Sequence, residues 1–191
     1  MIQLQSNHSS LSQQKAVFLD RDGVINPLIE KDGEITSPKT LKEFIFLPNV
    51  FSSIEKIQTL GYKTFIVTNQ PGIFDGKQTW EELNEITNML LDVLQIDGVY
   101  NAVDKLSQTY KPNNGMIEYF INRFNIERDK SYIIGDRWKD IVPGYNSGIN
   151  TIYVGKEWTT PPEPYTDITP GYICSNILEA CNYIAEIDNE R

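Results

Sequence analysis

The chain has 191 residues, 40% of them hydrophobic and 23% charged, with a formal net charge of −9. That length suits one domain with a sizeable buried core, and the composition is ordinary for a soluble globular protein. The acidic balance argues against a general nucleic-acid or anionic-membrane surface, and no apolar run approaches the length of a membrane span.

Residues 1–14 are rich in Gln, Ser and Asn, with neither a basic start nor an apolar stretch. They read as a polar disordered tail rather than a signal peptide, and the lone His8 falls within them. A cytoplasmic location is the default expectation, oligomeric state is left open, and residues 15–191 read as one domain. Ala16 to Leu19 is a short unbroken apolar run, the pattern of a strand buried on both faces. It ends in two carboxylates, Asp20 and Asp22, followed by Gly23, where the backbone turns.

Pro27 to Pro48 is a polar, Gly- and Pro-punctuated loop that ends in Phe44-Ile45-Phe46-Leu47. Val50, Ile54, Ile57 and Leu60 follow at helical spacing and Gly61 closes that helix. Thr64 to Val67 is a second apolar strand, ending in Thr68-Asn69-Gln70. A helix is expected over about Thr79 to Leu94, with Leu83, Ile86, Leu90 and Leu94 inward, and a strand over Gly98 to Val103. Pro112 to Phe124 reads as a helix with Pro in its first turn, where the missing N–H costs nothing.

Ser131 to Ile134 is a strand that stops at Gly135-Asp136, and a short helix carrying Pro143 follows. Thr151 to Val154 and Gly171 to Cys174 are strands flanking a proline-rich loop, and Asn176 to Ile187 is a closing helix. Cys174 and Cys181, seven apart in a helical-looking segment, are too far apart to bridge and read as buried small hydrophobes. Strands alternating with helices at these spacings predict an α/β fold: a mostly parallel, Rossmann-like sheet wound on both sides.

Ligands in such folds sit beyond the carboxyl ends of the strands. Asp-x-Asp alone is a common tripeptide that marks turns more often than sites. Here Asp20 and Asp22 follow one strand, Thr68 and Asn69 another, Lys111 precedes a helix, and Asp136 and Asp140 follow a later strand. Converging carboxylates repel by on the order of 4 kcal/mol per pair at about 4 Å and an effective dielectric near 20. An all-oxygen donor set favours a hard cation, and Mg²⁺ with waters and a substrate phosphate fits it best. Lys and Thr offer a phosphoryl group a compact positive charge and a hydroxyl donor. Together they describe phosphoryl transfer through an aspartyl-phosphate.

Four segments in order, Phe-Leu-Asp20-Arg-Asp22-Gly-Val-Ile-Asn, Val-Thr68-Asn69-Gln70, Lys111-Pro112 and Ile-Gly-Asp136-Arg-Trp-Lys-Asp140-Ile, closely resemble the haloacid-dehalogenase-like (HAD) phosphohydrolases. Within them the chain looks like the histidinol-phosphate and heptose-bisphosphate phosphatase branch. The resemblance implies a three-layer HAD-like domain in which Asp20 attacks phosphorus and Asp22 serves as acid and base. It further implies that Thr68, Asn69 and Lys111 hold the phosphoryl oxygens. Mg²⁺ would sit on the Asp20 carboxylate, the Asp22 backbone carbonyl and Asp136, with Asp140 helping directly or through water. The expected partner is a small phosphorylated metabolite, with no nucleic acid and no membrane.

The chain departs from the family at identifiable places. Asp97 to Tyr110, where many relatives carry a zinc loop, holds no Cys or His, so no zinc is expected. Tyr110 stands where relatives often have Arg, and Gly72-Ile-Phe-Asp75-Gly76-Lys77 replaces a common Gly-x-x-Arg-Gly-Lys. Both changes remove positive charge from the substrate rim and count against a second phosphate on the substrate. No segment is long enough for a large cap domain, so the cleft is expected to be open, with Phe74, Lys77, Tyr110 and the loop near Pro27 on its rim. Two alternatives are a phosphatase acting on a nucleic-acid end and a receiver-like phosphoacceptor module.

Overall fold

The computed structural model describes residues 1–5, 12–31 and 33–190. Its centre is a seven-stranded sheet. In chain order the strands and helices are β1 (Ile2–Leu4), β2 (Ala16–Leu19), β3 (Ile29–Lys31), β4 (Glu34–Thr36), α1 (Val50–Thr59), β5 (Lys63–Asn69), α2 (Trp80–Leu94), β6 (Gly98–Ala102), α3 (Gly115–Phe124), β7 (Tyr132–Gly135), α4 (Trp138–Asn146), β8 (Asn150–Val154), β9 (Tyr172–Cys174) and α5 (Ile177–Asn189). The sheet runs β1-β6-β5-β2-β7-β8-β9, and β3 and β4 form a separate hairpin. Every pairing in the large sheet is parallel except β1 against β6.

Alternation along β2 explains the three layers. Val17 and Leu19 face a core built with α1, α2 and α5, whereas Ala16 and Phe18 face α3. On the α3 side Phe120 is fully buried and stacks on Phe65 at 4.2 Å between ring centroids, with Phe18 at 6.3 Å. The helix ends follow local chemistry. Thr79 caps α2: its side chain accepts from Glu82 N–H while Glu82 accepts from Thr79 N–H at 2.7 Å. From β2 the chain moves outward through β5 and β6, then returns to the other side of β2 for β7, β8 and β9. That reversal opens a crevice at the carboxyl ends of β2 and β7, where Asp20 and Asp136 emerge.

The α/β class, the parallel sheet and the order of its main elements match the expectation from sequence. Four local readings are corrected. The expected tail over 1–14 contains an edge strand, because Ile2, Gln3 and Leu4 pair with Tyr100, Val99 and Gly98; His8 lies outside the described residues. The segment from Pro27 to Pro48 contains the β3–β4 hairpin, whose composition is too polar to signal a strand. Helix α3 begins at Gly115, so Pro112 lies before its first turn. Cys174 is on β9 rather than on a helix with Cys181, and both thiols are free and buried in one core. Among the described residues no helix is long and apolar enough to cross a membrane.

Removing the Phe120 ring leaves a void between β2, β5 and α3. Phe120→Ala is expected to lower unfolding free energy by about 3–5 kcal/mol. Urea denaturation measures it, and a loss below about 1 kcal/mol would contradict this packing.

Candidate active site

Asp20 follows β2, and its backbone N–H donates to Ile134 O at 2.9 Å, which anchors the loop to β7. Thr68 and Asn69 end β5, Asp136 follows β7, and Asp140 is in the first turn of α4. These residues meet in a cleft of about 150 Å³ lined by Asp20, Asp22, Thr68, Asn69, Lys111 and Asp140. One carboxylate oxygen each from Asp20, Asp136 and Asp140 lies within 4.8 Å of the others. Gly23 permits this approach: its φ is +91°, and a β-carbon there would come 2.1 Å from Asp136 Oδ2.

Lys111 is the cation among these acids. It is buried, and its Nζ donates to Asp20 Oδ1 at 2.8 Å, to Val67 O at 3.0 Å and to Asp140 Oδ1. Burial works against the ammonium, but Asp140 and Asp20 outweigh it and hold Lys111 well above its ordinary pKa. Burial, then repulsion from Asp140, pushes the Asp20 carboxyl up to about 7 despite Lys111. Burial and Asp140 likewise raise Asp136 to about 6. One lysine therefore faces three carboxylates, and Asp136 Oδ1 is buried with no hydrogen-bond donor; the Arg137 guanidinium stays 3.9 Å away. An orphaned acidic oxygen beside two more carboxylates is the donor set a hard divalent cation fits.

Asp22 is in the opposite electrostatic state. Burial raises its carboxyl, but the Arg21 guanidinium and hydrogen bonds from Asn26 and Ser37 outweigh that and hold it below the usual carboxylate range. Arg21, itself fully buried, donates from Nη2 to Asp22 Oδ1 at 3.0 Å. Asn26 reaches the same oxygen at 2.9 Å, while Ser37 and Gln70 donate to Oδ2 at 2.8 and 2.7 Å. Gln70 Nε2 also donates to Thr68 Oγ1 at 3.0 Å, linking the two.

All seven residues singled out from the sequence converge here, although two make contacts the motifs did not reveal. The Asn69 side chain clasps the Lys111 backbone, accepting from its N–H at 2.9 Å and donating to its carbonyl at 3.0 Å. Both Asp140 oxygens accept hydrogen bonds, from Lys111 Nζ and from Arg137 N–H. Sequence reasoning gave no role to Arg21, Ser37 or Gln70. The first and last stand inside the motifs themselves, whereas Ser37 follows the hairpin and has no local signal. Of the expected rim residues, Tyr110 lines the cleft with Arg137 and Lys139, while Lys77 is turned to Glu34 at 3.5 Å.

The HAD-hydrolase-like family profile matches residues 109–180. A D-glycero-β-D-manno-heptose-1,7-bisphosphate 7-phosphatase from Haemophilus ducreyi is 30% identical over 188 residues, covering 89% of this chain and 98% of that one. The chain belongs to the HAD-like phosphohydrolases. A Helicobacter pylori heptose-bisphosphate 7-phosphatase is 28% identical over 91% of this HAD-like chain and 99% of its own. Among solved structures, a HAD-like phosphatase from Mesorhizobium loti superposes with a TM-score of 0.77 at 23% identity, covering 98% and 93% of the two chains. The D,D-heptose 1,7-bisphosphate phosphatase of B. bronchiseptica, complexed with magnesium and phosphate, gives 0.76 at 21% identity over 91% and 99%. These likenesses make the protein a phosphatase, and the receiver-like alternative falls.

The crowded acids carry a measurable cost. Because the charged form of Asp136 is disfavoured in the folded protein, Asp136→Asn is expected to stabilise the metal-free protein by on the order of 1 kcal/mol. The same change should weaken Mg²⁺ binding at least about tenfold. Thermal melts in EDTA and calorimetric titration with Mg²⁺ read the two effects; unchanged Mg²⁺ affinity would contradict this donor set.

Proposed function

We propose that this HAD-like phosphatase is a Mg²⁺-dependent phosphomonoester hydrolase that acts on a small phosphorylated sugar through a phospho-Asp20 intermediate. The observation that carries this reading is the Lys111 ammonium fixed between Asp20 and Asp140, beside the orphaned oxygen of Asp136. The heptose-bisphosphate phosphatases among its relatives support the substrate class.

Asp20 supplies the attacking oxygen: its bond to phosphorus forms as the bond to the leaving oxygen breaks. Asp22 gives that oxygen a proton. A water then attacks phosphorus, passes its proton to Asp22 and frees Asp20 with inorganic phosphate. In the arrangement described, Asp22 is held as the anion, the form needed for the second step. To act as the acid it has to take up a proton and turn from Arg21. Lys111 and the Thr68 hydroxyl hold the phosphoryl oxygens, while Asn69 fixes the Lys111 backbone and Gln70 orients Thr68. Asp20, the Asp22 carbonyl and Asp136 would hold Mg²⁺, with Asp140 helping directly or through water. The ion would neutralise phosphoryl charge and keep Asp20 ionised.

Asp20→Asn is expected to reduce hydrolysis of p-nitrophenyl phosphate in Mg²⁺ at least about a thousandfold, with an unchanged circular dichroism spectrum. EDTA should abolish the wild-type activity. Activity that survives either treatment would contradict the mechanism.

A further inference from the structure

An acid that is also a base has to change its bonding twice in each turnover. Protonated Asp22 gives a hydrogen and anionic Asp22 takes one back, yet in the arrangement described every side chain bonded to its carboxylate is a donor. Arg21 donates from Nε and Nη2, Asn26 from Nδ2, Gln70 from Nε2 and Ser37 from Oγ. The O–H of a protonated carboxyl needs an acceptor and a path into the cleft. One of these partners must be able to reverse.

Three of the four are fixed as donors. A guanidinium offers no acceptor, so Arg21 cannot reverse. Turning the Asn26 amide would set its Oδ1 against Pro27 O, to which Nδ2 now donates at 2.9 Å. Turning the Gln70 amide would set Oε1 against Thr68 Oγ1, now 3.0 Å from Nε2, and draw the Thr68 hydrogen away from the phosphoryl group it is assigned to hold. Ser37 needs only rotation about one bond, because its Oγ carries a hydrogen and two lone pairs. It lies 2.8 Å from Asp22 Oδ2, and both residues line the catalytic cleft. The backbone that carries it is pinned: Arg21 Nη2 donates to Pro38 O at 3.3 Å, and buried Gln78 donates from Nε2 to Lys39 O at 2.7 Å.

We propose that Ser37 is a further catalytic residue, whose hydroxyl relays the proton between Asp22 and the reacting oxygens. This rests on the phosphatase reading and adds a residue to it. In the first step the bond from phosphorus to the leaving oxygen breaks, that oxygen takes the Ser37 hydrogen, and Ser37 Oγ takes the proton from Asp22 Oδ2. Asp22 is then the anion that Arg21, Asn26 and Gln70 are placed to hold. In the second step water bonds to phosphorus as the bond to Asp20 breaks. The water gives a proton to Ser37 Oγ, and Ser37 returns its own to Asp22 Oδ2. Each step moves one proton in and one out of the serine, which ends unchanged.

Two esters that differ in leaving group separate this role from a structural one. Phenoxide needs a proton to leave, whereas p-nitrophenoxide leaves as a stable anion, and kcat/KM covers the steps through that departure. Ser37→Ala is expected to lower kcat/KM for phenyl phosphate by on the order of a hundredfold and for p-nitrophenyl phosphate by less than about threefold. Ser37→Thr keeps a hydroxyl and should hold both esters within about threefold of the wild type. Ser37 is half-buried, so the Ala variant is expected to fold, which a circular dichroism melt checks. Equal losses for the two esters, no loss for either, or a Thr variant as impaired as the Ala variant would overturn the relay. Wild-type protein that hydrolyses neither ester in Mg²⁺ would overturn the phosphatase reading and the relay with it. An active wild type with an unchanged ester ratio in Ser37→Ala overturns the relay alone.

Discussion

The buried Lys111 ammonium governs the site. It is held at 2.8 Å from Asp20, accepted also by Asp140, and offered the Val67 carbonyl within the sheet. A lysine loses hydration on burial and tolerates it only among anions, so Lys111 and the acids require one another. Removing the lysine would leave three carboxylates in mutual repulsion. Keeping it leaves a surplus of negative charge that one divalent ion balances. The fold's contribution is topological: the reversal of strand order at β2 brings the ends of β2, β5 and β7 to one crevice.

The same crevice holds two aspartates, two residues apart, in different electrostatic states. Asp20 is pushed toward neutrality by burial and then by the like charge of Asp140, with its carboxyl at about 7. Asp22 is surrounded by donors and held ionised. Environments that push paired carboxylates apart are how one site divides labour between them. Arg21, Asn26 and Ser37 stabilise the Asp22 anion, whereas burial and Asp140 act against the Asp20 anion.

Much of this was legible in the sequence. Apolar runs that stop at polar residues mark buried parallel strands and their functional ends, which is why Asp20, Thr68 and Asp136 could be placed on one rim. Helix phases such as Leu83, Ile86 and Leu90 follow from burial of one face. What could not be read depends on contacts across the chain. Ile2–Leu4 is a strand only because β6 offers it an edge. Ser37 reaches the site because the hairpin folds its segment back, and no periodicity announces that. Asn69 looks like a phosphate ligand in the motif, yet its side chain spends both polar atoms on the Lys111 backbone.

The central claim is that Asp20, poised between Lys111 and the other acids, is the group that becomes phosphorylated. Acid quench during turnover of p-nitrophenyl phosphate, followed by borohydride reduction, converts a phosphorylated aspartate to homoserine, which peptide mass analysis locates. The account predicts the modification at Asp20. Its appearance at Asp22, Asp136 or Asp140 instead would contradict it.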